Sequence, residues 1–312
     1  MFEKDVDLKK LSNYKIGGKA DYFASVGATE ELIEVIKEAK EKNLDIFILG
    51  GGTNVLIGDD GFRGLVIKPN FLSLTNDGDE LKVGAGVTIK DLLNFCIDNS
   101  LSGLEWAGGL PGTVGGAIFG NAGAFGGEMK DNVAKVVSVN VDEGEPKVLE
   151  RNNEECKFGY RDSVFKKLVQ TGKREIITEI EFDLELGEKR EIETKIQEKI
   201  DYRQAKQPLE YPNIGSMFKN VKWDTLPEEV QARFLEKKKN DPFPVLPVAV
   251  LIDAAGLKGS KEGGAQVSEK HPNFIVNVDS ASSADVKALV DKVQNKIKAE
   301  FGVELDREVI FL

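Results

Sequence analysis

The sequence predicts a mixed α+β protein of more than one domain. Three observations predict it. The chain is 312 residues long, enough to bury more than one core. Short apolar runs of strand period are interleaved with amphipathic helical runs, without the regular βαβ alternation of a parallel sheet. Two glycine-rich stretches, finally, are too rich in small residues to sit inside one regular element.

Taken in order, Thr29 to Lys42 reads as an amphipathic helix. Thr29 is its expected cap, Glu30 and Glu31 suit the first turn, and Leu32, Ile33, Ile36 and Ala39 share a face. Short strands are expected at Ile46 to Leu49, Val55 to Ile57, Gly64 to Lys68 and Leu81 to Val83. Thr88 to Asn99 is a second helix, capped by Thr88 with Asp91 and turning Leu92, Leu93, Cys96 and Ile97 inward. Strands resume at Val136 to Val141. From Ile176 to Leu186 the pattern alternates, with Ile180, Phe182, Leu184 and Leu186 on one face and Glu179, Glu181, Asp183 and Glu185 on the other. A charged helix from Glu188 to Lys206 is expected to end a domain. The three prolines of DPFPVLPVA argue against any regular element there. Ser282 to Phe301 is the most strongly patterned helix: Val286, Leu289, Val290, Val293, Ile297 and Phe301 form one stripe, Ser282 and Asp285 cap it, and Gly302 closes it.

Composition narrows the function. Apolar residues make up 41% and charged residues 30%, the balance of an ordinary globular protein. A net charge of -11, from 42 basic and 53 acidic residues, argues against a nucleic-acid binder, which needs a basic face. A few local Arg and Lys residues still suffice for a small anion. The opening residues are charged and contain no apolar signal segment, and no apolar run reaches the roughly 18 residues of a membrane helix, so no membrane partner and a cytoplasmic location are expected. Cys96 and Cys156 lie in unrelated contexts without metal-ligand spacing, which reads as reduced, buried thiols and no metal. The single histidine, His271, reads as a structural hydrogen-bonding residue.

The glycine stretches are Gly50, Gly51, Gly52, Thr53 and Asn54, and the longer LPGTVGGAIFGNAGAFGG ending at Gly127. A lone GGG is most simply a tight turn. The longer run is better suited to backbone contact with a ligand, because consecutive N–H groups can converge on a pyrophosphate. Neither ends as a Walker motif, and neither has the spacing of a Rossmann fingerprint. What remains is a large dinucleotide held by loops.

The strings LSNYKIGGKADYF, LGGGTNVLI, LPGTVGGAIFGNAGAFGGE, CKFGYRDSVF, YPNIGSMFKN and GGAQVSEKHPNFIVN occur in this order between Asn13 and Glu308. In this the chain resembles the UDP-N-acetylenolpyruvoylglucosamine reductases. The resemblance implies an FAD-binding domain of the vanillyl-alcohol-oxidase (PCMH) type in two α+β subdomains, at 1–70 and 71–205. It further implies a smaller α+β substrate-binding domain at 206–302 and a tail, 303–312, carrying Glu308. The short run between Tyr160 and Tyr211 points to the subclass that lacks an extra substrate-covering loop. FAD would be bound non-covalently by Gly50, Gly51, Gly52, Thr53 and Asn54 together with Pro111, Gly112, Thr113, Gly115, Gly116, Asn121 and Gly123.

The reaction implied is reduction of a vinyl ether conjugated to a carboxylate on a UDP-sugar, with NADPH as hydride donor and a monomeric enzyme. Such a reaction needs a cation at the carboxylate and a proton donor on the correct face. By resemblance Arg161 is that cation, a permanently charged fork suited to a carboxylate. Ser216 matches the proton donor and Glu308 the third catalytic residue. Tyr160, Lys206, Tyr211 and Asn220 match substrate-side positions. Phe158, Tyr160 and Phe165 suggest that Arg161 lies on a strand-like, partly buried stretch, and Val309, Ile310 and Phe311 suggest that the tail docks as a strand. The chain departs from the family pattern at Thr53, at Val221 and in the residues around Glu308.

Overall fold

A computed structural model of the chain describes residues 2–77 and 80–312. Its residues gather into two compact units. One comprises Met1–Val6, Ala20–Gly51 and Arg63–Arg203; the other comprises Asp7–Lys19, Gly52–Phe62 and Gln204–Leu312.

The first unit is built on a five-stranded antiparallel sheet, in the order Val148–Asn152, Val133–Asn140, Glu175–Asp183, Glu80–Gly84 and Leu74–Asp77. Ile177, Ile180 and Phe182 of its central strand pack with Leu81, Val83 and Val136 against the helices Ile89–Asp98 and Val114–Phe119. Ile176 instead joins Val139 and Val141 in a second core with Leu32, Ile36, Leu65 and Ile67. The switch of face has a local cause. Val137 pairs with Glu179 but Ser138 pairs with Ile177, so Thr178 is an extra residue that reverses the alternation.

The helix Thr29–Glu41 is entered from Ala28, with no side-chain cap; the Gly27 N–H donates to Glu31 at 3.1 Å instead, so Thr29 does not cap it. Its buried face is Leu32, Val35, Ile36 and Ala39, and Ile33 packs partly buried against the same core, as expected. The helix Ile89–Asp98 is capped as the sequence suggests, Thr88 accepting from the Asp91 N–H at 3.1 Å. The alternating strand stops at Asp183. Glu185–Leu186 then pairs with Leu101–Ser102, which leaves Leu186 81% exposed rather than inward. The charged helix runs Lys189–Lys206.

The second unit packs the helix Ser283–Phe301 through Val286, Leu289, Val293 and Ile297 onto Met217, Phe218, Leu246 and Leu251. Ser282 and Asp285 form a capping box, and Gly302 closes the helix at φ 66°. Tyr14 is fully buried here, donating its hydroxyl to the Ile275 carbonyl at 2.8 Å, and burial pushes its phenol well above the ordinary range. The proline segment is regular after all. Pro244–Leu246 is the middle strand of a small sheet between Val221–Lys222 and Lys239–Asn240, and the helix Val248–Ala254 follows Pro247 directly. Both prolines stand at the start of their elements, where the missing N–H costs no ladder or helix bond. The tail docks as a strand, Ile310–Phe311 lying parallel to Val55–Leu56.

Two polar features brace this unit. Asp59 acts as a second cap for the long helix, accepting from Ser283 N at 2.8 Å, Ser283 Oγ at 2.8 Å and Ala284 N at 3.1 Å. Burial pushes the Asp59 carboxyl up, but these hydrogen bonds outweigh it and hold the group below the usual carboxylate range. His271 packs edge-on against Phe274, with ring centroids 4.8 Å apart, and its Nδ1 is buried without a partner, so packing holds the ring rather than a bond at that nitrogen. Burial, with Lys239 nearby, lowers its pKa and keeps the imidazole neutral.

Two expectations follow for stability. Asp59→Ala should cost about 1 kcal/mol at neutral pH, read by denaturant or thermal unfolding. The stabilisation by Asp59 is complete above the ordinary carboxylate pKa and is lost as pH falls through the depressed one, so the two proteins should converge in acid. For His271 the unfolded chain binds the proton more tightly, so its stabilisation is complete above about pH 6.5 and erodes as pH falls below that. His271→Gln should flatten that part of the melting-temperature profile; an unchanged slope would mean that the imidazole titrates normally.

Candidate active site

In the first unit the two glycine stretches meet backbone to backbone. A Cβ on Gly51 would stand 2.7 Å from Gly112 Cα, and one on Gly50 would stand 3.1 Å from Thr113 Oγ1. The second stretch is pinned from beneath. Ile89 N donates to Gly112 O at 3.1 Å, Val114 N to Val87 O at 2.9 Å and Gly115 N to Ala85 O at 2.9 Å. Gly50, Gly51, Pro111, Gly112, Thr113, Gly115 and Gly116 thus form a shelf of small residues, each still partly exposed. Added Cβ atoms on Gly51 and Gly115 would run into Gly112 and Ala85, so the close packing of this shelf requires glycine at these positions. The rest of the first stretch belongs to the other unit, where Gly52, at φ 65°, rests on the Leu11 carbonyl and Asn54 donates to the Glu308 carbonyl at 3.4 Å.

Asn121 and Gly123 lie at the far end of the helix Val114–Phe119. Asn121 is fully buried with its amide bonded to protein, to Gly159 O at 2.9 Å, to Glu128 at 3.3 Å and from Lys130 N at 3.0 Å. Gly123 O accepts from the Arg161 guanidinium at 2.6 Å. Arg161 does not sit on a strand. It occupies a tight turn at φ 54°, closed by reciprocal bonds between Gly159 and Asp162 at 2.9 and 3.1 Å, with its guanidinium 5.0 Å from the Tyr160 ring. Ser163 Oγ anchors the turn to Phe119 O at 2.7 Å.

A second guanidinium, not among the expected site residues, lies near Arg161. Arg203 is 7% exposed, donates through Nε to Gly108 O at 2.8 Å and keeps one terminal nitrogen buried without a partner. Burial and the neighbouring Arg161 charge lower its pKa to about 10. It lies 5.3 Å from the Phe125 ring, which meets Tyr202 edge-on at 5.2 Å. The available signal was spacing: Arg203 continues the stripe of Ile192 and Ile196, the buried apolar residues of its helix. Two guanidiniums at close range favour an anion between or beside them.

In the second unit Ser216 follows Gly215, whose φ is 84°, and bridges to Phe274. Met217 N donates to Asn273 O at 2.7 Å, while Glu308 N donates to Met217 O at 2.9 Å. Ser216 and Glu308 are therefore brought together, Glu308 being bonded to the residue next to the serine. Both are partly exposed. Asn213 organises the loop before them, donating to Tyr211 O at 2.9 Å and accepting from Gly215 N at 3.1 Å. Lys206 ends its helix and is exposed, as is Tyr211. Asn220 accepts from Val248 N at 3.2 Å, so its oxygen caps the helix Val248–Ala254. Cys96 and Cys156 are free, buried thiols, pushed up by burial to about 12 and about 11.

Residues 20–149 match the family model of an FAD binding domain, and residues 207–312 match that of the UDP-N-acetylenolpyruvoylglucosamine reductase C-terminal domain. The UDP-N-acetylenolpyruvoylglucosamine reductase of Shouchella clausii is 40% identical over 308 residues, covering 98% of this chain and 89% of the relative. That of Caldanaerobacter subterraneus subsp. tengcongensis is 38% identical over 303 residues, covering 97% and 90%. The crystal structure of the Thermus caldophilus reductase superposes with a TM-score of 0.76 at 31% identity, over 100% of this chain and 98% of that one. The α+β fold with its FAD-binding domain is thereby established, and with it a flavin-dependent oxidoreductase. Near-full-length identity at this level, over a fold that presents a glycine shelf and an arginine turn, makes the chain a member of the UDP-N-acetylenolpyruvoylglucosamine reductase family.

Proposed function

We propose that this reductase of peptidoglycan precursor synthesis converts UDP-N-acetylglucosamine enolpyruvate to UDP-N-acetylmuramate, drawing its hydride from NADPH. The observation that carries the reading is the Arg161 guanidinium, fixed on a closed turn beside Gly123 and within reach of the Arg203 charge. When bound, FAD supplies hydride transfer between the nicotinamide and the vinyl carbon.

The remaining work falls to side chains. Arg161 grips the substrate carboxylate and opposes the negative charge that grows on it as the double bond is reduced. Arg203 keeps the local potential positive, because no carboxylate pairs with it among the described residues. Ser216 gives up its proton to the carbon beside the carboxylate. A hydroxyl is a weak acid, so it must be held still, and the bonds of Met217 to Asn273 and Glu308 on its C-terminal side do so. Glu308 adjusts the polarity around that proton. Tyr160, Lys206, Tyr211 and Asn220 contact the sugar nucleotide. The glycine shelf, with Gly52, Thr53 and Asn54, holds the FAD pyrophosphate and ribityl chain without a covalent bond, in keeping with two thiols that are sunk in a core. In this reading the chain acts as a monomer of the shorter subclass, in the cytoplasm, with residues 1–70 and 71–205 as FAD-binding subdomains, 206–302 as the substrate domain and 303–312 as the catalytic tail.

Anaerobic spectroscopy tests the whole scheme. NADPH should bleach the oxidised flavin band, and the enolpyruvyl substrate should restore it; a band that stays bleached would mean another acceptor. Arg161→Lys replaces a fork by a point charge and should slow restoration by about 100-fold while bleaching by NADPH stays near normal. Ser216→Ala should retain FAD and slow restoration by about 100- to 10,000-fold. Unaltered turnover of either variant would remove that residue from the mechanism.

A further inference from the structure

The Arg161 turn is part of a closed circuit. Asn121 reaches Gly159 O through its amide at 2.9 Å, Arg161 stands two residues beyond Gly159, and its guanidinium returns to Gly123 O at 2.6 Å, two residues beyond Asn121. The amide has no freedom to turn. Its nitrogen serves two acceptors, Gly159 O and the Glu128 carboxylate at 3.3 Å, and its oxygen takes the Lys130 N–H at 3.0 Å. Reversed, the amide oxygen would face a carbonyl and a carboxylate, so one orientation alone is satisfied. Glu128 is 5% exposed and is itself fixed by the Lys130 ammonium at 2.7 Å. Space is equally tight: a Cβ on Gly123 would come to 2.7 Å from Glu128 Cγ and 3.2 Å from Arg161 Nη1.

We propose that Asn121 is a positioning residue for the Arg161 guanidinium, acting through the Gly159 carbonyl, with the buried Glu128 carboxylate fixing the direction of its amide. The proposal rests on the reading of Arg161 as the group that holds the substrate carboxylate. Both N–H donors of Asn121 are already engaged, so its side chain has none left for a cofactor, and any contact with FAD at this residue runs through the backbone. What the circuit fixes is the plane and height of a fork whose two hydrogen bonds tolerate little displacement. A shift of about 1 Å in such a group can cost about 100-fold in rate.

The test is a double-mutant cycle in the FAD-loaded full chain. Asn121 has φ 42°, a conformation natural to glycine, so Asn121→Gly removes the amide without straining the backbone. FAD affinity, read by flavin fluorescence, and the rate of reduction by NADPH should change by less than about threefold. Reoxidation by the enolpyruvyl substrate should slow by about 10- to 100-fold. Combined with Arg161→Lys, the double variant should reoxidise no more than about twofold slower than Arg161→Lys alone, because the amide acts only through the guanidinium. Losses that multiply, or that fall equally on FAD binding and both half-reactions, overturn the proposal. If Arg161→Lys alone leaves reoxidation intact, the reading of Arg161 fails first and the proposal falls with it. If Asn121→Gly does not retain FAD, the cycle is run with Glu128→Gln. That variant should slow reoxidation about fivefold and non-additively, and a normal rate there overturns the proposal as well.

Discussion

One extra residue in the central strand of the five-stranded sheet governs the first unit. A strand of strict period two can feed one core from one face. By bulging at Thr178, Glu175–Asp183 sends Ile177, Ile180 and Phe182 toward the helices Ile89–Asp98 and Val114–Phe119, and Ile176 toward Val139 and Leu32. The helix Val114–Phe119 carries the glycine shelf at its start and leads into Asn121 at its end, so its seat on this sheet sets both. Glu175 shows how firmly the bulged end is held, since it is nearly buried yet bonded to Ser138 at 2.9 Å and paired with Arg151. A charge at such depth is tolerable only when it is fully partnered.

On that base the chemistry is assembled from backbone as much as from side chains. The shelf works by lacking side chains, and the arginine turn works by closing on itself. Arg161 lies close enough to Arg203 that its charge, after burial, lowers the Arg203 pKa, and no carboxylate pairs with Arg203 among the described residues. In the other unit the segment that carries Ser216 is set by main-chain bonds between Met217 and both Asn273 and Glu308.

Much of this was legible in the sequence wherever the signal is local. The helix Ser283–Phe301 matched from cap to closing glycine, because its capping box, its apolar stripe and its left-handed terminator all lie within the segment. The docked tail was readable from three consecutive apolar residues. The family match supplied the glycine stretches and the arginine. What escaped depends on partners distant in the chain. Pro244–Leu246 is a strand only because Val221–Lys222 and Lys239–Asn240 flank it. Leu186 faces outward because the ladder ends at Asp183 and a different strand takes over. Arg161 reads as strand-like among aromatic neighbours, yet its positive φ is imposed by bonds to Gly123 and across the turn. Nothing local announces that Gly108 will accept the Arg203 Nε; only its spacing from Ile192 and Ile196 points it inward.

The second unit is assembled from three separate stretches, and this bears on how the protein is made. Residues 7–19 and 52–62 bond to each other, Asn13 N to Gly52 O at 3.0 Å and Gly18 N to Gly58 O at 2.9 Å, and complete their unit with residues 204–312. On a ribosome they emerge early, and residues 204–312 follow only after some 140 intervening residues of the other unit. Val55–Leu56 is an apolar segment whose ladder neighbour, Ile310–Phe311, appears last of all. A cut at the 203–204 boundary would leave the first unit whole in the N-terminal fragment and divide the second between the two fragments.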